Sequence, residues 1–190
     1  MTLGVDVAGM GRDSSVLCYR YENVVDRFEM HQSGGVADHM HVAGMVSKAL
    51  RDKNTYALID TIGEGAGVFS RLREIGLDNS TSAKVSESAS ARKDITGQYE
   101  FSNMRAYLCW CVRDWLNPKN NFNAALPKND KLMQEATEIK WRFQSDGKIV
   151  MEPKSDVSAR IGRSPDIFDS LMLSFYPVKR YGTKATVFKY

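Results

Sequence analysis

The sequence predicts an α/β domain built on a mixed sheet of five strands. Three strand-like segments come first, and only Glu22-Asn23 separates the second from the third, which is typical of a tight antiparallel hairpin. Strand and helix patterns then alternate, which is typical of parallel strands joined by crossover helices. An Asp interrupts or ends an apolar strand pattern twice, at Asp6 and Asp60, so the sheet also carries candidate functional groups.

The strands are recognised as short apolar runs that turn residues interrupt. We expect them over residues 3–8, 15–21, 24–30, 56–60 and 83–87. Helices are expected over about 37–51, from Val68 to Ile75 with Gly76 as the cap, and over about 101–116 up to Asn117-Pro118. The resulting order is β-β-β-α-β-α-β-α, with helices on both faces of the sheet.

The C-terminal part is less regular. We expect a helix over 128–138, a hairpin of 139–144 and 148–152 that turns at Asp146-Gly147, and a polar loop over 153–163. A last helix should begin near Ser164-Pro165, with Ser as the N-cap and Pro in the first turn. Residues 1–177 then form one domain, and 178–190 form a basic tail with Lys179, Arg180 and Lys184.

The composition is that of an ordinary globular domain, with 190 residues, 43% hydrophobic and 26% charged. No apolar run approaches the roughly 20 residues that cross a bilayer, and no signal peptide is expected. The net charge of +3 permits a polyanionic partner without requiring one. Three cysteines without a repeated spacing favour a reducing compartment, and the three histidines (His31, His39 and His41) are interpreted as solvated or capping groups.

Acidic residues that interrupt or follow apolar elements are the candidate functional groups. Asp6 and Asp60 lie in the first and fourth strands, which this element order places side by side. Asp166 and Asp169 are three residues apart in the last helix and therefore share one face. Carboxylates that converge in this way repel one another unless cations neutralise them, and hard oxygen ligands favour two Mg²⁺ or Mn²⁺ ions. Such a pair of ions can hydrolyse a phosphodiester.

A more ordinary interpretation exists for each acid taken singly. An Asp at a strand end often shapes a turn or caps a helix. Asp13 stays ambiguous for this reason, since it could simply shape the turn between the first two strands. The joint placement of Asp6, Asp60 and Asp166 on elements of one fold is what favours a site.

Three segments resemble the nuclease motifs of the large terminase subunits of tailed phages. Gly4-Val5-Asp6-Val7-Ala8-Gly9 and the residues up to Ser15 resemble the first motif, and residues 59–68 around Asp60 resemble the second. Residues 164–171 resemble the third, although Ser170 stands where Ala is more usual, and residues 101–106 resemble the opening of the family's long helix. The resemblance covers about residues 3–177.

The resemblance implies a ribonuclease-H-like fold and a nuclease that cuts concatemeric viral DNA during genome packaging. By motif position, Asp6, Asp60 and Asp166 are then the catalytic metal ligands, with Asp169 as a fourth ligand or a partner of the ligands. The implied partners are double-stranded DNA, the terminase ATPase domain, the small subunit and the portal protein, without a membrane, in the host cytoplasm. No G-x-x-x-x-G-K-[ST] loop occurs, so the ATPase is expected on a part absent from this chain.

Basic residues near the third motif are candidate phosphate contacts. They are Lys128, Lys131, Lys154, Arg160 and Arg163. As a group they predict sequence-independent, salt-sensitive DNA binding, although each one singly suits a solvated loop.

Rival functions stay open at this point. The same metal chemistry serves a junction resolvase or a transposase-like domain. An ATP-binding fold with an Asp- and Gly-rich hairpin needs a far longer chain. A non-catalytic module that docks DNA or the portal is the non-enzymatic alternative.

Overall fold

The computed structural model describes residues 1–9, 13–32 and 34–178. The strands are β1 (Thr2–Asp6), β2 (Ser15–Tyr21), β3 (Val24–His31), β4 (Tyr56–Asp60), β5 (Ser80–Ala83), β6 (Trp141–Phe143) and β7 (Ile149–Met151). The α-helices are α1 (His39–Ala49), α2 (Gly65–Glu74), α3 (Met104–Leu116), α4 (Asp130–Glu138), α5 (Lys154–Ile161) and α6 (Asp166–Leu173). None of the helices in these ranges combines the length and the apolar character needed to span a bilayer.

The main sheet has five strands in the order β3-β2-β1-β4-β5. β3, β2 and β1 pair antiparallel, whereas β1, β4 and β5 pair parallel. Val5 of β1 lies opposite Ile59 of β4, so the two strands end at the same edge of the sheet. The predicted mixed five-stranded α/β architecture and the pairing of the first and fourth strands are confirmed.

Each face of this sheet is covered by a different pair of helices. Leu3 and Val5 point to the face that α1 and α2 cover, where they join one apolar core. Side chains alternate along a strand, so Gly4 and Asp6 point to the opposite face. There α6 packs over β1 and β2, and α3 packs against α6 in a second core. The two acids at the strand ends therefore face α6.

Gly4 lets the backbones of β1 and α6 approach each other closely. A Cβ atom at this position would lie 1.9 Å from the carbonyl oxygen of Ser170 and 2.6 Å from the amide nitrogen of Ser174. Both are backbone atoms, which cannot rotate away. The absence of a side chain at Gly4 thus sets how near α6 comes to the acid at the end of β1.

Three local predictions are wrong. The fifth strand is Ser80–Ala83 rather than 83–87, because its hydrogen bonds to β4 place Ala83 opposite Asp60 and outweigh its polar composition. The expected loop over 153–163 contains α5, whose polar sequence buries Val157 alone and ends at Gly162 in the left-handed conformation. Ser164 does not cap the last helix, which begins at Asp166 after Pro165.

The C-terminal hairpin and the last helix are confirmed. β6 and β7 pair antiparallel, with Trp141 opposite Met151, and they form a small second sheet beside α3. Of the expected basic tail, residues 179–190 lie outside the described residues.

Candidate metal-binding active site

The first part of the site is the carboxyl edge of two parallel strands. Asp6 and Asp60 are the last residues of β1 and β4, each two positions after a residue on the α6 face. The side chain of Asp6 is only 16% exposed. One carboxylate oxygen of Asp60 accepts a hydrogen bond from the backbone N–H of Ile62 at 3.0 Å, which orients this carboxylate at the start of the second motif.

The second part of the site is the first turn of α6. Asp166 and Asp169 both lie in this turn, with side chains 12% and 8% exposed. Asp166 Oδ2 accepts a hydrogen bond from the backbone N–H of Ser14 at 3.1 Å, which links the third motif to the first. Asp169 Oδ1 is buried and has no hydrogen-bond partner among the described residues. A buried oxygen of this kind is costly unless a cation lies nearby.

Lys154, the first residue of α5, extends its ammonium into this group of acids. Its Nζ lies 2.7 Å from Asp169 Oδ2, 3.6 Å from Asp6 Oδ2 and 3.8 Å from Asp166 Oδ1. Burial lowers the pKa of Lys154, but the attraction of Asp169 and Asp6 outweighs it and raises this pKa above its usual value. The lysine therefore stays charged and acts as a counter-ion for the acids.

A single ammonium does not balance these acids. Burial raises the pKa of Asp6 to about 8 against the lowering effect of Lys154, and the charges of Asp169, Asp166 and Asp60 raise it further. Burial also raises the pKa of Asp60 and of Asp166. Burial, which one ammonium offsets only in part, makes these carboxyl groups reluctant to ionise. Hard oxygen donors, a buried oxygen without a partner and a surplus of negative charge fit Mg²⁺ or Mn²⁺.

The structure thus brings together the four acids that the sequence analysis selected. Asp13, which the sequence left ambiguous, lines a cleft of about 390 Å³ together with Ser14 and Asp166. The charge of Asp13 contributes to the raised pKa of Asp166. Asp13 therefore lies beside the acid group at the entrance to the site.

The five basic candidates do not form one surface. Lys131 and Arg163 line the cleft beside Asp166, whereas Lys154 lies among the acids. Arg160 pairs with Glu152 at 2.5 Å and with Glu138 at 3.8 Å, which fastens α5 to α4 and to the hairpin. Lys128 is exposed and is not among the residues that line the cleft.

Glu135 of α4 is a residue that the sequence analysis missed. It is 1% exposed, and its Oε2 accepts a hydrogen bond from the backbone N–H of Phe168 at 2.8 Å. Its Oε1 lies 3.3 Å from Arg163. Burial raises the pKa of Glu135 to about 7. The available signal was its position three residues after Leu132, on the apolar face of an amphipathic helix.

Solved structures that are similar to this fold include nuclease domains of phage large terminase subunits. The nuclease domain of gp2 from bacterial virus Sf6 is 22% identical, with a TM-score of 0.72 over 93% of this chain and 88% of that chain. The nuclease of thermophilic phage G20c, solved with bound magnesium, is 19% identical, with a TM-score of 0.58 over 91% of this chain and 78% of that chain. The nuclease domain of Thermus phage P74-26 is 18% identical, with a TM-score of 0.59 over 92% of this chain and 77% of that chain.

The ribonuclease-H-like fold class is confirmed by these structures, and the resemblance that the motifs indicated is confirmed at the level of the fold. The Sf6 domain has also been solved with manganese and beta-thujaplicinol. No protein-family model and no curated protein sequence matches the chain.

Proposed function

We propose that this chain is a divalent-metal-dependent endonuclease that cuts double-stranded, concatemeric viral DNA during genome packaging. The observation that carries the proposal is the group of Asp6, Asp166 and Asp169 around Lys154, with Asp60 at the adjacent strand end. The fold shared with terminase nuclease domains supports the assignment to packaging.

Asp6, Asp60 and Asp166 are assigned as metal ligands, and Asp169, with its unpartnered Oδ1, as a fourth ligand. These four acids would hold two Mg²⁺ or Mn²⁺ ions, which when bound would supply an activated water and stabilise the leaving oxygen of a phosphodiester. The N–H of Ser14 keeps Asp166 aimed at the site. Lys154 offsets part of the negative charge of the acids and would meet a DNA phosphate when they take up metal.

The DNA path is assigned to the cleft beside Asp166. Lys131 and Arg163 line this cleft and would hold phosphates without reading sequence. Lys128 and Arg160 do not line the cleft and are assigned as further phosphate contacts outside it. The proposed partners are duplex DNA, the terminase ATPase domain, the small subunit and the portal protein, in the host cytoplasm.

The test is nicking of supercoiled plasmid with Mn²⁺ or Mg²⁺. We expect cleavage that chelator abolishes and that Asp6→Asn, Asp60→Asn and Asp166→Asn each reduce by about 100-fold or more, since each removes metal-dependent stabilisation of the transition state. Asp26→Asn, at an exposed acid, is the matched control and should cleave normally.

Two outcomes would contradict the proposal. Full activity in Asp60→Asn would exclude the assigned ligand set, and the absence of metal-dependent cleavage would favour a docking module. Cleavage of linear duplex without preference for junctions separates the packaging nuclease from a resolvase.

A further inference from the structure

A second group of possible metal ligands lies where β3 ends and α1 begins. His31 is the last residue of β3, His41 is in the first turn of α1, and Asp38 caps that helix. One ligand atom from each of the three lies within 4.8 Å of the other two. In ranges 1–9, 13–32 and 34–178, no other group of three or more His, Cys, Asp and Glu residues brings its ligand atoms this close together.

The imidazole rings of His31 and His41 are stacked, with centroids 4.0 Å apart and an angle of 18° between their planes. Asp38 Oδ2 lies 3.3 Å from Nε2 of His31, and Asp38 Oδ1 accepts a hydrogen bond from the backbone N–H of His41 at 3.2 Å. The carboxylate is therefore held in place by contacts to both histidines, one to the ring of His31 and one to the backbone of His41.

The ring of His31 gives a second observation that points to a ligand. Its Nε2 is shielded from solvent and makes no hydrogen bond to the described residues, although its ring is 22% exposed overall. Helix capping explains the position of Asp38. It does not explain a buried ring nitrogen whose contact with Asp38 Oδ2 at 3.3 Å lacks hydrogen-bond geometry, which is a costly arrangement for a polar group.

The spacing suits a small divalent ion. Bonds of about 2.0–2.1 Å in a tetrahedral zinc site place neighbouring ligand atoms roughly 3.4 Å apart. The separation of 3.3 Å between His31 and Asp38 already matches this value. His41 is exposed, so its ring can turn to complete the set.

We propose that His31, Asp38 and His41 form a binding site for a transition-metal ion of the Zn²⁺ class, separate from the carboxylate site. Two imidazoles and one carboxylate leave a fourth position for water. Imidazole ligands favour Zn²⁺, Co²⁺ or Ni²⁺ over Mg²⁺, so the two sites select different ions.

The ion would fasten the end of β3 to the start of α1. His39, in the same turn of α1, pairs with Glu64 at 2.7 Å, and Glu64 follows Asp60 in the second motif. Metal at the histidine site would thereby brace the loop that follows a proposed catalytic strand. The effect is positional and adds no group to the chemistry of cleavage.

The test is Co²⁺ binding followed by visible absorption, with the full chain and an excess of Mg²⁺. Mg²⁺ occupies the hard oxygen ligands but competes weakly for imidazole. We expect one equivalent of Co²⁺ to give the absorption of an imidazole-bound ion, and Zn²⁺ to displace it. His31→Gln and His41→Gln should each weaken binding by more than the roughly 10–100-fold that loss of an outer partner costs. His39→Gln, on the same helix turn, is the matched control and should bind normally.

A thermal unfolding series keeps the result independent of the nuclease assignment. At a free Zn²⁺ concentration about 100 times the dissociation constant, Tm should rise by roughly 5–10 °C in the wild type and in Asp6→Asn. It should not rise in His41→Gln. Failure of Co²⁺ to bind in excess Mg²⁺ would overturn the proposal. Binding of Co²⁺ by His31→Gln and His41→Gln as tight as by the wild type would also overturn it. So would a loss of affinity in His39→Gln as large as in those two variants.

Discussion

The carboxyl group of Asp6, at the end of β1, is buried, and this burial makes its ionisation costly. Burial raises its pKa to about 8 from an ordinary value of 3.8. The folded protein therefore binds this proton more tightly than the unfolded chain does. The resulting contribution to stability is present below about pH 4 and is lost as the pH rises through about 8.

Asp6→Asn should remove this pH dependence. In chelator, we expect the variant to equal or exceed the wild type in free energy of unfolding at about pH 9, with no such advantage at about pH 4. Urea unfolding at both pH values measures the difference, and Asp26→Asn serves as the exposed control. A variant that is less stable than the wild type at the higher pH would contradict the assigned burial of Asp6.

The residue types and their pattern predicted the acids of the site, but not that the ammonium of Lys154 lies among them. Asp6, Asp60 and Asp166 were selected because each interrupts or follows an apolar element. The sequence analysis predicted that Lys154 lies in a polar loop and contacts DNA. Its polar helix α5 gives little apolar signal, so sequence periodicity could not direct its ammonium to the acids.

At the scale of elements, the packing of α6 on β1 depends on Gly4. Gly4→Ala places a methyl group against backbone atoms of Ser170 and Ser174, so we expect a loss of roughly 3 kcal/mol or more. Gly44→Ala is the control, because that helical glycine faces open space and should gain about 0.5–1 kcal/mol. Chemical denaturation measures both, and a tolerated Gly4→Ala would contradict the close approach.

The start of α6 is held a second time by Glu135 of α4. Glu135→Ala leaves the N–H of Phe168 without its acceptor and Arg163 without its partner, so we expect a loss of about 2–4 kcal/mol. Glu138→Ala on the same helix removes an exposed ion pair and should cost less than about 1 kcal/mol. Equal losses of stability in the two variants would show that the buried contacts of Glu135 stabilise the protein no more than the exposed ion pair of Glu138 does.

Most elements were predictable because their signals are local. The hairpin of β2 and β3 follows from the turn at Glu22-Asn23, and α3 follows from its apolar period and its cap at Asn103. β5 was misplaced because its register depends on β4, a partner more than 20 residues earlier in the chain. Pairing partners of this kind are not encoded in the segment itself.

At the scale of the whole molecule, we expect a small number of basic residues to account for the salt dependence of DNA binding. Lys131→Ala should weaken binding and reduce the slope of log affinity against log salt by about 1, since one phosphate contact is lost. Binding is measured in chelator, so that the DNA is not cut, and Lys48→Ala on the exposed side of α1 is the control. An unchanged slope in Lys131→Ala would exclude the cleft beside Asp166 as the DNA path.

The sequence by itself determined the order of the main elements, the mixed sheet and the acids that interrupt or follow apolar elements, because apolar period, turn residues and strand alternation are local properties of the chain. The tertiary structure alone decided that Lys154 lies among those acids, that Glu135 holds the start of α6, and that His31, Asp38 and His41 meet. Each of these depends on contacts between distant segments or on side-chain direction. Burial, and with it the pKa of Asp6, arises only when those segments pack together.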